Sequence, residues 1–181
     1  MRQNAQAYLK RLITTTLAVV IGFVASAQPA SDSTAVSSSN ISVPKKYLFA
    51  KIHFRNNSSA IDSTYMDNAK SIAALREMIE NQDTCRIELR GSASPVGREA
   101  YNRALSSRRA DSAERLIMQM GSSRNMLIEK SFIGEDWATF AADIERDYHH
   151  INRNKVLEIV RSDNPNAVKK QMLKALDEGI T

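Results

Sequence analysis

The sequence has little of what disulfide scaffolds, metal centres and hydrolytic sites are built from. A single cysteine, Cys85, excludes an intramolecular disulfide framework. It alternates with Ile87 and Leu89, which reads as a buried, inert thiol on a strand rather than a nucleophile. Only three histidines are present, and His149 and His150 are adjacent rather than one helical turn apart, so metal-ligand spacing is missing. No nucleophile–base motif and no phosphate-cradling glycine loop occurs. The repeated alternating segments of a membrane barrel are also absent. These absences exclude the common enzyme classes, and the chain reads as a non-enzymatic protein that requires no cofactor and no metal.

No acidic residue precedes Asp32, while Arg2, Lys10 and Arg11 make the start of the chain positive. The apolar run from Leu12 to Val24 is shorter than the roughly 20 residues a bilayer-spanning helix needs. Ala25-Ser26-Ala27 then supplies the small-x-small pattern of a leader cleavage site, with Gln28 as the mature start. No cysteine follows that site, which argues against a lipid anchor. Residues 1–27 are therefore expected to be a signal peptide, and the mature chain an exported protein without a membrane span. Removing them takes away three basic and no acidic side chains and leaves a net charge of only +2. A charge that small gives no support for nucleic acid as a partner.

Residues 28–46 are rich in Ser, Ala, Thr and Asn and carry almost no large apolar side chains, the composition of a disordered linker. Beyond it two periodicities alternate. Ala50, Ile52 and Phe54 alternate with Lys51, His53 and Arg55, predicting a half-buried strand. Asn56 to Ser59 is turn chemistry. Met66, Ala69, Ile72, Ala73 and Ile79 recur at helical spacing. Cys85, Ile87 and Leu89 mark a second strand. A long helix is predicted over about 99–120, with Ala104, Leu105, Ala113, Leu116, Ile117 and Met120 on its core face and Gly121 as its stop. Leu127–Ile133 is a third, shorter strand. From Trp137 onward three helical patterns follow, over 137–148, 154–161 and 167–176, with Pro165 between the last two. The order β-α-β-α-β with a helical tail implies an α/β two-layer domain over 47–136 and a helical C-terminal extension over 137–181.

The most informative stretch runs from Gly91 to Gly97 and into the following helix. Glycines at both ends permit tight turns in a loop over a helix N-terminus, where backbone N–H groups and the helix dipole favour an anion. Asn102, Leu105 and Arg109 lie at i, i+3 and i+7 on one stripe of that helix. Helical side chains tilt toward the N-terminus, so Arg109 is expected to reach back toward the loop and act as an anion clamp. Taken singly, Arg109 would be an ordinary solvated surface arginine, and Ser92 and Ser94 would satisfy the loop's own amides.

The span from about Leu48 to Trp137 resembles the OmpA-like domain, the peptidoglycan-associating module of bacterial envelope proteins. The resemblance is carried by Phe54 with Asn57-Ser58-Ser59-Ala60-Ile61, the Gly91–Gly97 loop, Asn102, Leu105-Ser106 and Arg109-Ala110 on the helix, and Gly134-Glu135 after the third strand. It implies the family's α/β sandwich and, as ligand, a diaminopimelate-containing stem peptide held by loop amides, a loop Asp and a helix Arg. The ligand-binding positions it implies here are Gly91, Ser92, Ser94, Gly97, Asn102, Arg109 and Asn57. Arg109 and Asn102 match the family pattern, whereas the loop Asp falls on Ser94. A neutral hydroxyl in place of a carboxylate weakens pairing with a ligand ammonium by about 2–3 kcal/mol, or some 30- to 150-fold in affinity. A Gly-x-Ala-Ser-Pro-x-Gly loop, the segments 55–62, 65–68 and 134–137, and the helical tail resemble a Bacteroidetes branch of the family, some members of which are associated with fimbrial assembly. Two expectations follow: a periplasmic module that associates with peptidoglycan at the outer membrane or cell wall, or a structural or fimbrial-assembly protein whose partner is another envelope protein.

Overall fold

The computed structural model describes residues 18–25, 49–81, 84–121, 125–149 and 151–178. The expected linker, 28–46, lies outside the described residues, as does most of the expected leader. Within that leader, however, Ala18–Ala25 forms a strand, β1. The other strands are β2 (Phe49–His53), β3 (Thr84–Ala93) and β4 (Asn125–Glu135), and the helices are α1 (Asn68–Glu80), α2 (Glu99–Met120), α3 (Trp137–Asp147), α4 (Arg153–Arg161) and α5 (Asn166–Glu178). The expected α/β two-layer architecture with helical extension is present.

One sheet holds the strands in the order β2-β1-β3-β4. β1 runs antiparallel to both its neighbours, and β3 pairs in parallel with β4. Strand alternation sets which face is covered. Ala50, Ile52, Cys85, Ile87 and Leu89 point into a core closed by Leu75, Met78 and Ile79 of α1 and Ala113 and Ile117 of α2. Full burial of each large aliphatic side chain there stabilises the fold by roughly 1.5–3 kcal/mol. The intervening Arg86 and Glu88 face solvent, and Arg86 Nη2 pairs across the β3–β4 ladder with Glu129 at 2.8 Å.

The buried stripes of α1 and α2 include Ile79, Leu105, Ala113 and Ile117 as expected, with Ile72 and Met120 packed against the core, but they differ in part. On α1, Ala69 and Ala73 are exposed, and the buried stripe is Asn68, Leu75, Met78 and Ile79. Met66 lies before the helix in a turn at φ 50° and is also exposed. On α2, Ala104 is exposed, whereas Asn102, Ser106 and Arg109 join Leu105, Ala110, Ala113 and Ile117 on the buried face. Alanine is small enough to sit on either face, so it misled the pattern. The buried polar residues broke it.

α3, α4 and α5 enclose a second apolar cluster, built on Phe140, Ala141, Ile144, Tyr148, Val156, Leu157 and Val160, with Trp137, Leu173 and Leu176 packed against it. Asp136 caps α3, its carboxylate accepting from the Thr139 backbone N–H at 2.9 Å and from the Thr139 hydroxyl at 2.8 Å. The Asp136 N–H donates to the Ala93 carbonyl at 2.8 Å, joining the start of the extension to the end of β3.

Candidate functional site

The site begins with a turn after β2. Phe54 bridges to Ile61, and between them Arg55–Ser58 closes through Ser58 N–H to the Arg55 carbonyl at 3.1 Å, with Asn57 in the left-handed region at φ 59°. Asn68 clamps its base. Its carboxamide accepts from His53 N–H at 2.7 Å and donates to the carbonyls of His53, at 2.8 Å, and Asp62, at 2.7 Å. Hydrogen bonds from Thr64, followed by those from Arg55, hold the Asp62 carboxyl down to about 2.

Arg109 projects from α2 onto this turn. It is 4% exposed, and its guanidinium lies over the Phe54 ring at 5.1 Å. Nε donates to the Ser58 carbonyl at 2.8 Å, Nη1 to the Ser92 carbonyl at 3.3 Å and Nη2 to the Arg55 carbonyl at 3.3 Å. Among the described residues it forms no ion pair. Burial accordingly pushes its pKa down to about 10, with Tyr101 opposing the shift and Arg108 adding to it. The Tyr101 hydroxyl donates to Asn57 Oδ1, fastening the turn to α2. Asn57, Ser92 and Arg109 are thus brought together.

The segment from Gly91 onward is only partly a loop. Gly91 and Ser92 belong to β3, and Gly91 serves a close approach rather than a turn. A Cβ there would stand 2.3 Å from the Ser106 carbonyl oxygen and 3.0 Å from Ala110 Cβ, so only glycine lets α2 lie this near the strand. The ladder with β4 shifts register between Gly91 and Ala93. The loop proper spans 94–98 and turns at Gly97, at φ 93° in the region glycine favours. Ser94 Oγ accepts from the Val96 N–H at 3.4 Å, a weak bond within the loop. Arg98, at the N-cap of α2, supplies no side-chain acceptor for the first N–H groups of the helix.

Asn102 marks the other end of the site. It is 4% exposed and donates to the Val96 carbonyl at 2.9 Å and to Glu135 Oε1 at 2.8 Å. Glu135 was not among the expected site residues, although the Gly134-Glu135 pair carried part of the family resemblance. Its side chain is 1% exposed. Lys170 of α5 completes the group, donating to the Gly97 carbonyl at 2.8 Å and to Glu135 Oε1. Nothing in the sequence pointed to Lys170, because it arrives by packing of the extension. An open groove of about 590 Å³ along the sheet, lined by residues such as Phe49, Glu88, Arg90 and Lys130, contains none of the expected site residues.

The arrangement therefore has two poles along α2. One is a buried guanidinium that has no counter-ion among the described residues; the other is a buried carboxylate neutralised by a lysine from the extension. Among the described residues no group of His, Cys, Asp and Glu is placed to hold a metal ion. No curated protein and no solved structure matches the chain. The family model of the OmpA family matches residues 53–148, more than half of the 181 residues. That span runs from the end of β2 through the Arg109 turn, α2 and β4 into α3, and the chain belongs to the OmpA family, whose domains are peptidoglycan-associating modules of the cell envelope.

Proposed function

We propose that this protein is an exported, non-enzymatic envelope module that associates non-covalently with peptidoglycan, Arg109 and the Ser92–Gly97 segment receiving a carboxylate of the stem peptide. The observation that carries this reading is the buried guanidinium, which lacks an ion pair among the described residues. A guanidinium has five N–H donors, and three hydrogen bonds to carbonyls leave its charge uncompensated. A ligand carboxylate at the loop would supply that compensation, with charge-assisted bonds of about 1.5–3 kcal/mol each. The first N–H groups of α2, uncapped by Arg98, add donors for the same anion. Asn57 holds the turn beneath, and Gly91 and Gly97 set the backbone path.

Titration of a soluble stem-peptide fragment into the purified protein tests the assignment. Arg109→Ala is expected to weaken binding by about 10- to 100-fold, and Ser94→Asp to strengthen it by restoring a carboxylate beside the ligand. Equal affinity in all three proteins would remove both positions from the site. Export belongs to the same reading, with cleavage after Ala27 placing the mature chain in the periplasm. Among the described residues no helix is long and apolar enough to cross a membrane.

A second reading, in which the partner is another envelope protein such as a fimbrial component, is favoured by the apolar surface of the extension. Ile151 is 92% exposed, and Val168 and Met172 are exposed on α5. Cross-linking in intact cells from position 151 or 172 distinguishes a discrete protein adduct from wall material.

A further inference from the structure

We propose that Glu135, the Gly97 carbonyl and Asn102 form a subsite for a primary alkylammonium, and that Lys170 fills it in the free protein, so that α5 latches the loop. The subsite is read from the geometry alone. Only the natural ligand, a stem peptide with a free aliphatic amine, rests on the peptidoglycan reading above.

The acceptor is unusual in its burial. The Glu135 side chain is 1% exposed; its Oε1 takes both Asn102 and Lys170, while its Oε2 is buried with no hydrogen-bond partner among the described residues. A carboxylate so far from water must be balanced by a cation and by donors to its remaining lone pairs. Here the cation is an ammonium on a flexible four-carbon stem, held by the Glu135 carboxylate and by the Gly97 carbonyl at 2.8 Å. The occupant thus defines what the subsite accepts: an unmodified –NH3+ at the end of an aliphatic chain. It also supplies what Ser94 lacks, a negative charge beside the loop. Nothing about the pair requires α5 to leave when the lysine does. The helix is held elsewhere, by Leu173 and Leu176 in the second apolar cluster and by the neighbouring Lys169, which donates to the Val160 carbonyl at 3.1 Å beside the Trp137 ring. The Lys170 side chain is 25% exposed, so the buried carboxylate is reached from the surface along the lysine stem.

Asn102 and Arg109 are seven residues apart on α2, about 10 Å of helix rise. A ligand that uses both poles carries its ammonium and carboxylate several bonds apart. An extended peptide side chain satisfies this; the head group of one α-amino acid does not.

The test uses the full chain and two variants, Lys170→Met, which keeps the aliphatic stem, and Lys170→Met combined with Glu135→Gln. The first probe is Nα-acetyl-lysine amide, a bare alkylammonium without a carboxylate, followed by shifts of the Asn102 and Gly97 NMR signals. Apparent affinity scales with the fraction of protein whose subsite is vacant, so Lys170→Met is expected to bind at least about tenfold tighter than wild type. The gain should vanish in the double variant and for the probe acetylated on its ε-amine. No gain, or an equal gain for the acetylated probe, overturns the subsite and leaves Lys170–Glu135 as a structural ion pair. A soluble stem-peptide fragment bearing a free amine is run in parallel. If it binds none of the proteins while the lysine probe behaves as expected, the peptidoglycan reading fails and the subsite stands. If it binds through Arg109 with no response to Lys170→Met, the subsite fails and the peptidoglycan reading stands.

Discussion

Asn68 and Arg109 each place a buried polar side chain on an apolar stripe, and each satisfies backbone groups that no regular element serves. Asn68 ties β2 to the Asp62 turn with three hydrogen bonds; Arg109 ties the Arg55–Ser58 turn to β3 with three more. Neither role was legible from periodicity, which treats a polar residue on a helix as surface. The family resemblance did point to Arg109 and Asn102, because it compares position rather than hydropathy. His53 offers a residue-scale prediction. It is 8% exposed, and its Nδ1 is buried without a hydrogen-bond partner among the described residues. Burial pushes its pKa below 6.5, helped by Lys51 and Arg146 and opposed by Asp67 and Asp143. The unfolded chain takes up a proton near pH 6.5 while the folded chain does not. Stability is therefore lost as pH falls below about 6.5, levelling off under the folded value. Thermal melts from pH 7.5 to 5 should show a declining midpoint that His53→Phe flattens. An unchanged slope in that variant would assign the acid sensitivity to other groups.

The elements themselves were readable where apolar residues alternate cleanly. Ala50, Ile52 and Phe54, and Cys85, Ile87 and Leu89, lie on the faces the pattern assigns them. Readability failed where packing between elements decides the outcome. β4 extends to Asn125–Glu135, beyond the apolar run at 127–133, because the parallel ladder with β3 runs from the Thr84–Asn125 pair to the Ala93–Glu135 pair. The loop was expected to begin at Gly91, but the strand persists to Ala93 because a residue without a side chain lets α2 approach it. Gly91→Ala should accordingly cost about 1–3 kcal/mol, since its Cβ meets backbone rather than a movable side chain. Urea denaturation checks this. A loss under about 0.5 kcal/mol, the ordinary effect of a surface substitution, would mean that α2 can shift away freely. Lys170 belongs to the same class of feature. Its partner Glu135 lies 35 residues away in sequence and is reached only because the extension folds back over the loop.

At the scale of the whole molecule, two apolar clusters divide the described chain, one between the sheet and α1–α2, the other inside α3–α5. The family match ends at residue 148, within the first third of that helical extension, so α4 and α5 lie outside the matched span. The amino end carries a sharper consequence. β1 lies between β2 and β3, yet its sequence is part of the apolar run we read as a leader. Cleavage after Ala27 would withdraw that strand and leave β2 and β3, which run in the same direction, facing each other across the slot. The intact mass of protein recovered from the envelope fraction should correspond to a chain beginning at Gln28. A mass that includes residues 1–27 would mean that β1 is retained and the leader reading is wrong.

We propose that Arg109 and the loop beside it bind the cell wall. Co-sedimentation with purified peptidoglycan tests it most directly, with wild type, Arg109→Ala and Ser94→Asp compared at equal concentration after each is shown to be folded by its melting transition. Wild type is expected to pellet with the wall, Arg109→Ala to stay largely in the supernatant, and Ser94→Asp to pellet more completely. Wild type remaining in solution, or Arg109→Ala pelleting as well as wild type, would contradict it.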